Sequence, residues 1–198
     1  MSSQTKLLFV SGSARADSVN KKLARFAERT AQANGVPSAF ADLGDYPMPI
    51  YDGDIEADTG VPEAAVKLKH LMSVHDGVFI ASPEYNAGMT PLLKNAIDWI
   101  SRVQEGGEPR GTVFKTRVFA LGAATPGGLG GVRGLMQLRQ TLALGLGAVV
   151  LPDQAMVPHA MTAFDDDGAL KEEQSIERLK GVIERLARAA RLLHGSDT

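Results

Sequence analysis

Apolar runs of strand length alternate along this chain with stretches whose apolar positions recur at helical spacing. Lys6 to Val10 is the first such run, and Leu23, Phe26, Ala27 and Thr30 then share one helical face. Ser38 to Leu43 reads as a second strand, Gly77 to Ala81 as a third that is buried, Arg117 to Leu121 as a fourth and Ala148 to Leu151 as a fifth. Pro62 suits the first turn of a helix running to about His75, because an amide there would have no partner anyway. Leu93, Ala96, Ile97 and Ile100 mark the next helix, and Leu135, Leu138, Leu142 and Leu146 the one after. The closing stripe runs through Ile176, Leu179, Ile183, Leu186, Ala190 and Leu193. Five strands alternating with five helices imply an α/β fold, a doubly wound parallel sheet with helices on both faces in three layers. The expectation is a single domain over 1–198. Open sheets of this kind bind ligands outside the carboxyl ends of their strands, which directs attention to the loops there.

Composition narrows the chemistry. With 44% apolar and 22% charged residues, the chain has the balance of an ordinary soluble domain. Its formal charge of −2 favours neither nucleic acid nor an anionic membrane surface. Arg178, Lys180, Arg185, Arg188 and Arg191 alternate with Glu172, Glu173, Glu177 and Glu184, which reads as a solvated, ion-paired helix face. Cysteine is absent, so disulfides, thiolate metal sites and cysteine redox relays are excluded and any redox chemistry needs a cofactor. The opening MSSQTKLLFVSG has no basic segment followed by a long apolar one, and a cytoplasmic location is expected.

Two loops carry the candidate chemistry. In GSARADSVN, Gly12 to Asn20, the residues Ser13 and Ser18, with Ser11 just before, offer hydroxyls and Arg15 a permanent cation. Ser18 sits where a helix N-cap belongs. A phosphate dianion suits such a site, since helix N-terminal amides attract anions and a guanidinium adds charge-assisted bonds. The plainer alternative is a capped helix after a serine-rich turn. Neither this loop nor GAATPGGLGG has the lysine of a P-loop, and Arg133 falls at the third glycine position of a dinucleotide fingerprint, so the phosphate reading favours a mononucleotide. The second loop, Ser82 to Asn86, combines an amide-free Pro83 with Tyr85 and Asn86 and suits a flat ring; a simple turn before Pro91 is the alternative. Together the loops point to flavin mononucleotide, FMN. The segment Gly44 to Gly60 is long and turn-rich, and is either a lid or packed coil.

Other constellations fall away. His70 and His75 are spaced wrongly for two ligands on one helix face, and Asp165, Asp167 and Gly168 lack the flanking carboxylates of a calcium loop. Ser11 lacks the GxSxG context of a nucleophile, and Asp98 and Glu84 have no oxyanion site to serve.

Taken in order, GSARADSVN, YPMPIYDGDIE, SPEYNAGMTPLLKNAIDWISR and ATPGGLGG followed by LRQTLALGLG resemble the NADPH-dependent FMN reductase family over most of the chain. These are flavodoxin-like flavoproteins that include azo, quinone and chromate reductases. The resemblance implies that Ser13, Arg15, Ser18, Val19 and Asn20 bind the FMN phosphate and its surroundings. It places Pro83, Glu84, Tyr85 and Asn86 along the isoalloxazine, Glu84 through its backbone, with Thr125, Gly127 and Gly128 closing the third side. Many relatives carry serine where this chain has Thr125, a change that keeps the hydroxyl and adds a methyl. The implied reaction passes hydride from NADPH or NADH to bound FMN and electrons onward to a small acceptor such as a quinone, azo compound, free flavin or metal oxyanion. No side chain need act as acid or base on the reductive side. Arg110 either meets a cofactor phosphate or is solvated, and Met89, Pro91 and Trp99 are candidates for the boundary of a homodimer or homotetramer, with ordinary core the commoner role for apolar side chains at helical spacing. A non-enzymatic electron carrier is the competing reading, one that calls for a more acidic surface than −2 supplies.

Overall fold

In the computed structural model, which describes residues 4–194, five parallel strands form a sheet in the order β2-β1-β3-β6-β7. They are β1 (Leu7–Ser11), β2 (Ser38–Asp42), β3 (Gly77–Ala81), β6 (Val118–Ala124) and β7 (Val149–Val157). This is the flavodoxin-type order, in which the chain reverses its winding between β1 and β3. Between the strands run α1 (Val19–Ala33), α2 (Gly53–Thr59), α3 (Glu63–Ser73), α4 (Pro91–Arg102), α5 (Thr112–Lys115), α6 (Val132–Gln140) and α7 (Glu173–His194). A short antiparallel pair, β4 (Glu84–Tyr85) with β5 (Gly88–Met89), interrupts the path from β3 to α4.

Side chains alternate across the pleat, so each strand feeds two cores. Leu7, Phe9 and Phe79 pack with Leu23, Ala27, Leu179 and Leu186 under α1 and α7. Leu8, Val10 and Ile80 pack with Leu68, Leu93, Ile97, Leu135 and Leu138 under α3, α4 and α6. β1 and β3 are buried at every position, the pattern of parallel strands covered on both faces.

Three departures from the sequence expectation have local causes. β7 runs six residues past Leu151, because its register shifts between Phe119 and Leu121 of β6 and the chain absorbs Pro152 there before pairing again from Gln154. The carbonyls left on that outer edge accept from Arg139, whose guanidinium lies 3.2 Å from Val150 O, 2.6 Å from Leu151 O and 3.3 Å from Pro152 O. The helix after β6 does not continue regularly through Leu146; beyond Gln140 it widens into a π turn, Thr141–Gly145. The turn-rich segment after β2 contains α2, capped by Asp52 through Asp54 N.

That segment is packed against α4. Trp99 is fully buried and donates through Nε1 to Pro49 O at 2.7 Å, Asn95 brackets Pro49 and Tyr51, and the Tyr51 ring meets Trp99 edge-on at 5.0 Å. Below it, Glu56 accepts from Tyr51 Oη at 2.9 Å, from Arg102 Nε at 2.8 Å and from Arg110 at 3.3 Å. Burial would push the Glu56 carboxyl up, but donation from Arg102 and Tyr51 and the charges of Arg102 and Arg110 outweigh it and hold the group below its ordinary value. Of the two alternatives for Gly44 to Gly60, the contacts are those of a packed segment.

Trp99→Ala is expected to cost about 3 to 5 kcal/mol in urea unfolding and to open the chain near Pro49 to limited proteolysis, because it removes both the ring that the segment rests on and the donor to Pro49 O. Because the Glu56 carboxyl is depressed in the folded state, its contribution is present above the ordinary carboxylate range and lost as pH falls through the depressed value. The urea midpoint of Glu56→Gln should therefore decline less steeply than the parent's below about pH 5.

Candidate functional site

The loops that leave β1, β3, β6 and β7 meet over the carboxyl edge of the sheet and enclose a cavity of about 200 Å³. From the first loop come Ser13, Arg15, Ser18, Val19 and Asn20; from the second Pro83, Glu84 and Tyr85; from the third Thr125 and Pro126. An adjoining cavity of about 380 Å³ shares Glu84, Thr125 and Pro126 and adds Gly127, Gly128, Leu129 and Arg133.

The first loop ends in a helix start built for an anion. Ser18 is the N-cap of α1 in extended conformation, its hydroxyl accepting from Asn20 N at 3.2 Å, and no acidic residue lies in the first turn. Ser13 Oγ accepts from Arg15 N at 3.4 Å, which curls the loop and turns Arg15 outward. Among the described residues the Arg15 guanidinium has no hydrogen-bond or ion-pair partner. Asp17 also borders the cavity, but Lys22 pairs with it at 3.2 Å. One end of the cavity thus presents a guanidinium without a side-chain partner among the described residues, two hydroxyls and the positive end of a 15-residue helix, a set of groups whose chemistry suits an anion. Ser11 does not join them: it is fully buried at the end of β1, outside the cavity lining, with its hydroxyl unpartnered.

Asn20 contributes differently from its neighbours. Its side chain donates to Ala124 O at 2.8 Å and accepts from Ala124 N at 2.9 Å, so both polar ends are committed to the backbone at the end of β6. The residue lines the cavity yet works as a clasp between the first and third loops. Thr90 makes the corresponding clasp between the first and second, capping α4 through Leu93 N at 3.2 Å while donating to Gly12 O at 2.7 Å.

The second loop is the β4–β5 hairpin. Asn86 and Ala87 both lie in the left-handed region, φ 50° and 65°, as a type I′ turn requires of its central residues. That turn carries Asn86 away from the cavity lining, to the hairpin tip. The Glu84 carboxylate also points elsewhere, accepting from Gly134 N at 2.9 Å and from Arg133 Nη2 at 2.6 Å. Burial would raise the Glu84 carboxyl, but the Gly134 amide and the Arg133 guanidinium outweigh it and hold the group below its ordinary value.

The third loop is tied to the fourth: Thr125 N donates to Val157 O and Ala160 N to Thr125 O, both at 3.0 Å. The Thr125 methyl lies where a side chain on Gly131 would intrude, 3.2 Å from the position of a Cβ there, so the extra carbon packs on a glycine at φ 82°. The fourth loop was invisible in the residue patterns, yet Ala160, Met161 and Phe164 supply an apolar wall. The signal for it was topological, since the β7 carboxyl end must open on the same edge.

Residues outside the site are accounted for. Arg110 lies in the loop after α4, bonded to Glu56 and Gln104, not at the cavity. Asp98 pairs with Lys94 at 2.7 Å along α4. Trp99 and Met89 are interior residues of this chain, so of the boundary candidates only Pro91 is exposed. Among the described residues no helix is long and apolar enough to cross a membrane.

Comparison with known proteins identifies the family. The family model for NADPH-dependent FMN reductases matches residues 5–162. An NAD(P)H-dependent FMN reductase of Pseudomonas aeruginosa is 32% identical over 195 residues, covering 98% of this chain and 100% of the relative. A quinone reductase of Escherichia coli is 32% identical over 145 residues, 72% of this chain and 71% of that one. Among solved structures, the flavoenzyme NAD(P)H:(acceptor) oxidoreductase of Paracoccus denitrificans superposes with a TM-score of 0.77 at 27% identity, over 95% of this chain and 98% of its own.

Asn20→Ala should destabilise the fold by about 2 to 4 kcal/mol in urea unfolding, because it strands the buried amide and carbonyl of Ala124 together. Asn20→Asp should recover only part of this, since it still accepts from Ala124 N but faces Ala124 O with no donor.

Proposed function

The chain belongs to the NADPH-dependent FMN reductase family, and from that premise we propose that its cavity holds FMN with the phosphate at the start of α1 and the ring between the second and third loops. The protein is an FMN-dependent NAD(P)H oxidoreductase. When bound, FMN would supply the two-electron chemistry that links oxidation of a reduced nicotinamide to reduction of the acceptor.

What the chain's own residues do is bind, orient and exclude water. Arg15, Ser13 and Ser18 hold the phosphate with the amides around Val19, and Asn20 fixes the loop that presents them. Pro83 and Tyr85 border one side of the ring with Glu84 behind them, and Thr125 the other. Gly127 and Gly128 line the adjoining cavity, where the absence of side chains leaves room for nicotinamide and acceptor in turn. Asn86 serves through the turn that sets the hairpin. Ala160, Met161 and Phe164 shield the polar end from bulk water. On the reductive side no side chain need act as acid or base, and the chain contributes orientation and exclusion of water; a quinone acceptor additionally takes up one proton from solvent. The observation that carries this reading is the unpaired Arg15 guanidinium beside an α1 terminus free of acidic residues, opening on the same cavity as Pro83, Tyr85 and Thr125.

The quinone reductase relatives favour a quinone as acceptor. Tyr85, Leu129 and Met161, 49%, 59% and 72% exposed, rim the two cavities with apolar surface, which supports a homodimer or homotetramer assembled near the mouth. A reaction fed by reduced nicotinamide fits a cytoplasmic setting.

Arg15→Ala and Ser18→Ala should each weaken FMN binding, the arginine change by about tenfold or more, as expected for loss of a charge-assisted contact. The measurement is quenching of FMN fluorescence on titration with apoprotein. Unchanged affinity in the double variant would remove the phosphate assignment. Oxidation of NADPH or NADH with a quinone present should be fast in the parent; bound flavin without turnover would favour an electron carrier instead.

A further inference from the structure

α6 begins without a cap of its own. Its N-cap is Gly131, held at φ 82°, and no side chain within the segment satisfies the first amides. Helix N-termini left this way normally recruit an acceptor, and a carboxylate is the best one because it also meets the dipole. Here it comes from another loop. Glu84, fifty residues earlier on β4, places Oε2 at 2.9 Å from the amide of Gly134, the third residue of α6, while Oε1 accepts from Arg133 Nη2 at 2.6 Å and Nε at 3.1 Å. Only 8% of the Glu84 side chain is exposed, against 56% of Arg133.

The helix returns the contact. Gln137, one turn further on, accepts from Met89 N at 2.9 Å, so the hairpin backbone is capped by the helix that its own carboxylate caps. Gly134 leaves no slack: a Cβ there would sit 3.1 Å from Gly88 O and 3.3 Å from Glu84 Cβ. The pair also decides what the α6 terminus can bind. Its anion position is filled from within the chain, so this end of the cavity offers no second phosphate site to compete with α1.

We propose that Glu84 is a positioning residue that acts as an N-cap in trans, locking the hairpin bearing Pro83 and Tyr85 to α6 and thereby setting the width of the slot between the second and third loops. Its interaction with Arg133 adds a second duty. Arg133 lines the adjoining cavity, and the carboxylate neutralises a cation that would otherwise act directly on the bound flavin and on the charge of the acceptor. The functional half of this inference rests on the FMN reading; the cap itself does not.

The test separates the two. Amide exchange at Gly134 is followed in parent, Glu84→Ala and Glu84→Gln proteins without FMN, and FMN affinity, quinone turnover and flavin midpoint potential are then measured in the same proteins. In Glu84→Ala the Gly134 amide should exchange about tenfold faster or more, with Glu84→Gln recovering most of the protection because its amide oxygen still accepts. FMN affinity should fall by a similar factor in Glu84→Ala. In Glu84→Gln the midpoint potential should rise, because Arg133 is left unneutralised, and Glu84→Gln with Arg133→Gln should bring it back toward the parent value. Unchanged Gly134 exchange overturns the cap. Accelerated exchange with unaltered FMN affinity and turnover overturns the positioning role, and a potential that the second substitution does not restore overturns the neutralising one. Failure of the parent itself to bind FMN would strike the flavin reading and leave the exchange result standing. Should Glu84→Ala not fold, Glu84→Met, similar in size and without an acceptor oxygen, takes its place in the same measurements.

Discussion

A parallel sheet ends in loops whose backbone amides and carbonyls have left the ladder, and at a buried carboxyl edge each must find a partner within the molecule. In this protein the loops find them in one another. Asn20 takes both polar groups of Ala124, Thr90 takes Gly12 O, Glu84 takes Gly134 N and Gln137 takes Met89 N. Each clasp joins elements far apart in sequence, so the cavity they surround exists only when the whole edge has assembled. Arg15, exposed beside the α1 terminus, stands apart from these clasps, with no side-chain partner among the described residues, and it is there that the proposed phosphate would be held.

How much of this could be read from residues alone depended on the range over which each feature is determined. Strand cores such as Gly77–Ala81 and the capped start at Ser18 follow from local pattern, and they appear where expected. The β4–β5 hairpin escaped notice because its strands are two residues each and its turn uses Asn86–Ala87 where Asn-Gly would have signalled it. β7 seemed to stop at Leu151 because Pro152 reads as a breaker, whereas the edge position lets the strand absorb it and continue. α2 hid among the glycines and acidic residues of a segment that looked like coil.

The site divides in the same way. Residues that face the cavity through short loops, Ser13, Arg15, Ser18, Pro83 and Thr125, were nameable from the motifs. Residues whose role is set by a distant partner were not: Asn20 and Glu84 commit their side chains to backbone 104 and 50 residues further along the chain, a commitment no spacing rule encodes. Trp99 had two readings, a subunit boundary from the resemblance and ordinary core from its helical spacing, and the structure supports core: the residue is fully buried and its indole donates to Pro49 O within the same chain.

The outer margin of β7 limits how this molecule can meet its own kind. An unprotected border strand invites another chain to continue the ladder, and open-ended stacking follows. Here Arg139 already occupies the carbonyls of Val150, Leu151 and Pro152, and the proline contributes no amide in return. Over those three residues the border is closed to a further strand, so a neighbour lying along that stretch would meet side chains in place of open ladder groups.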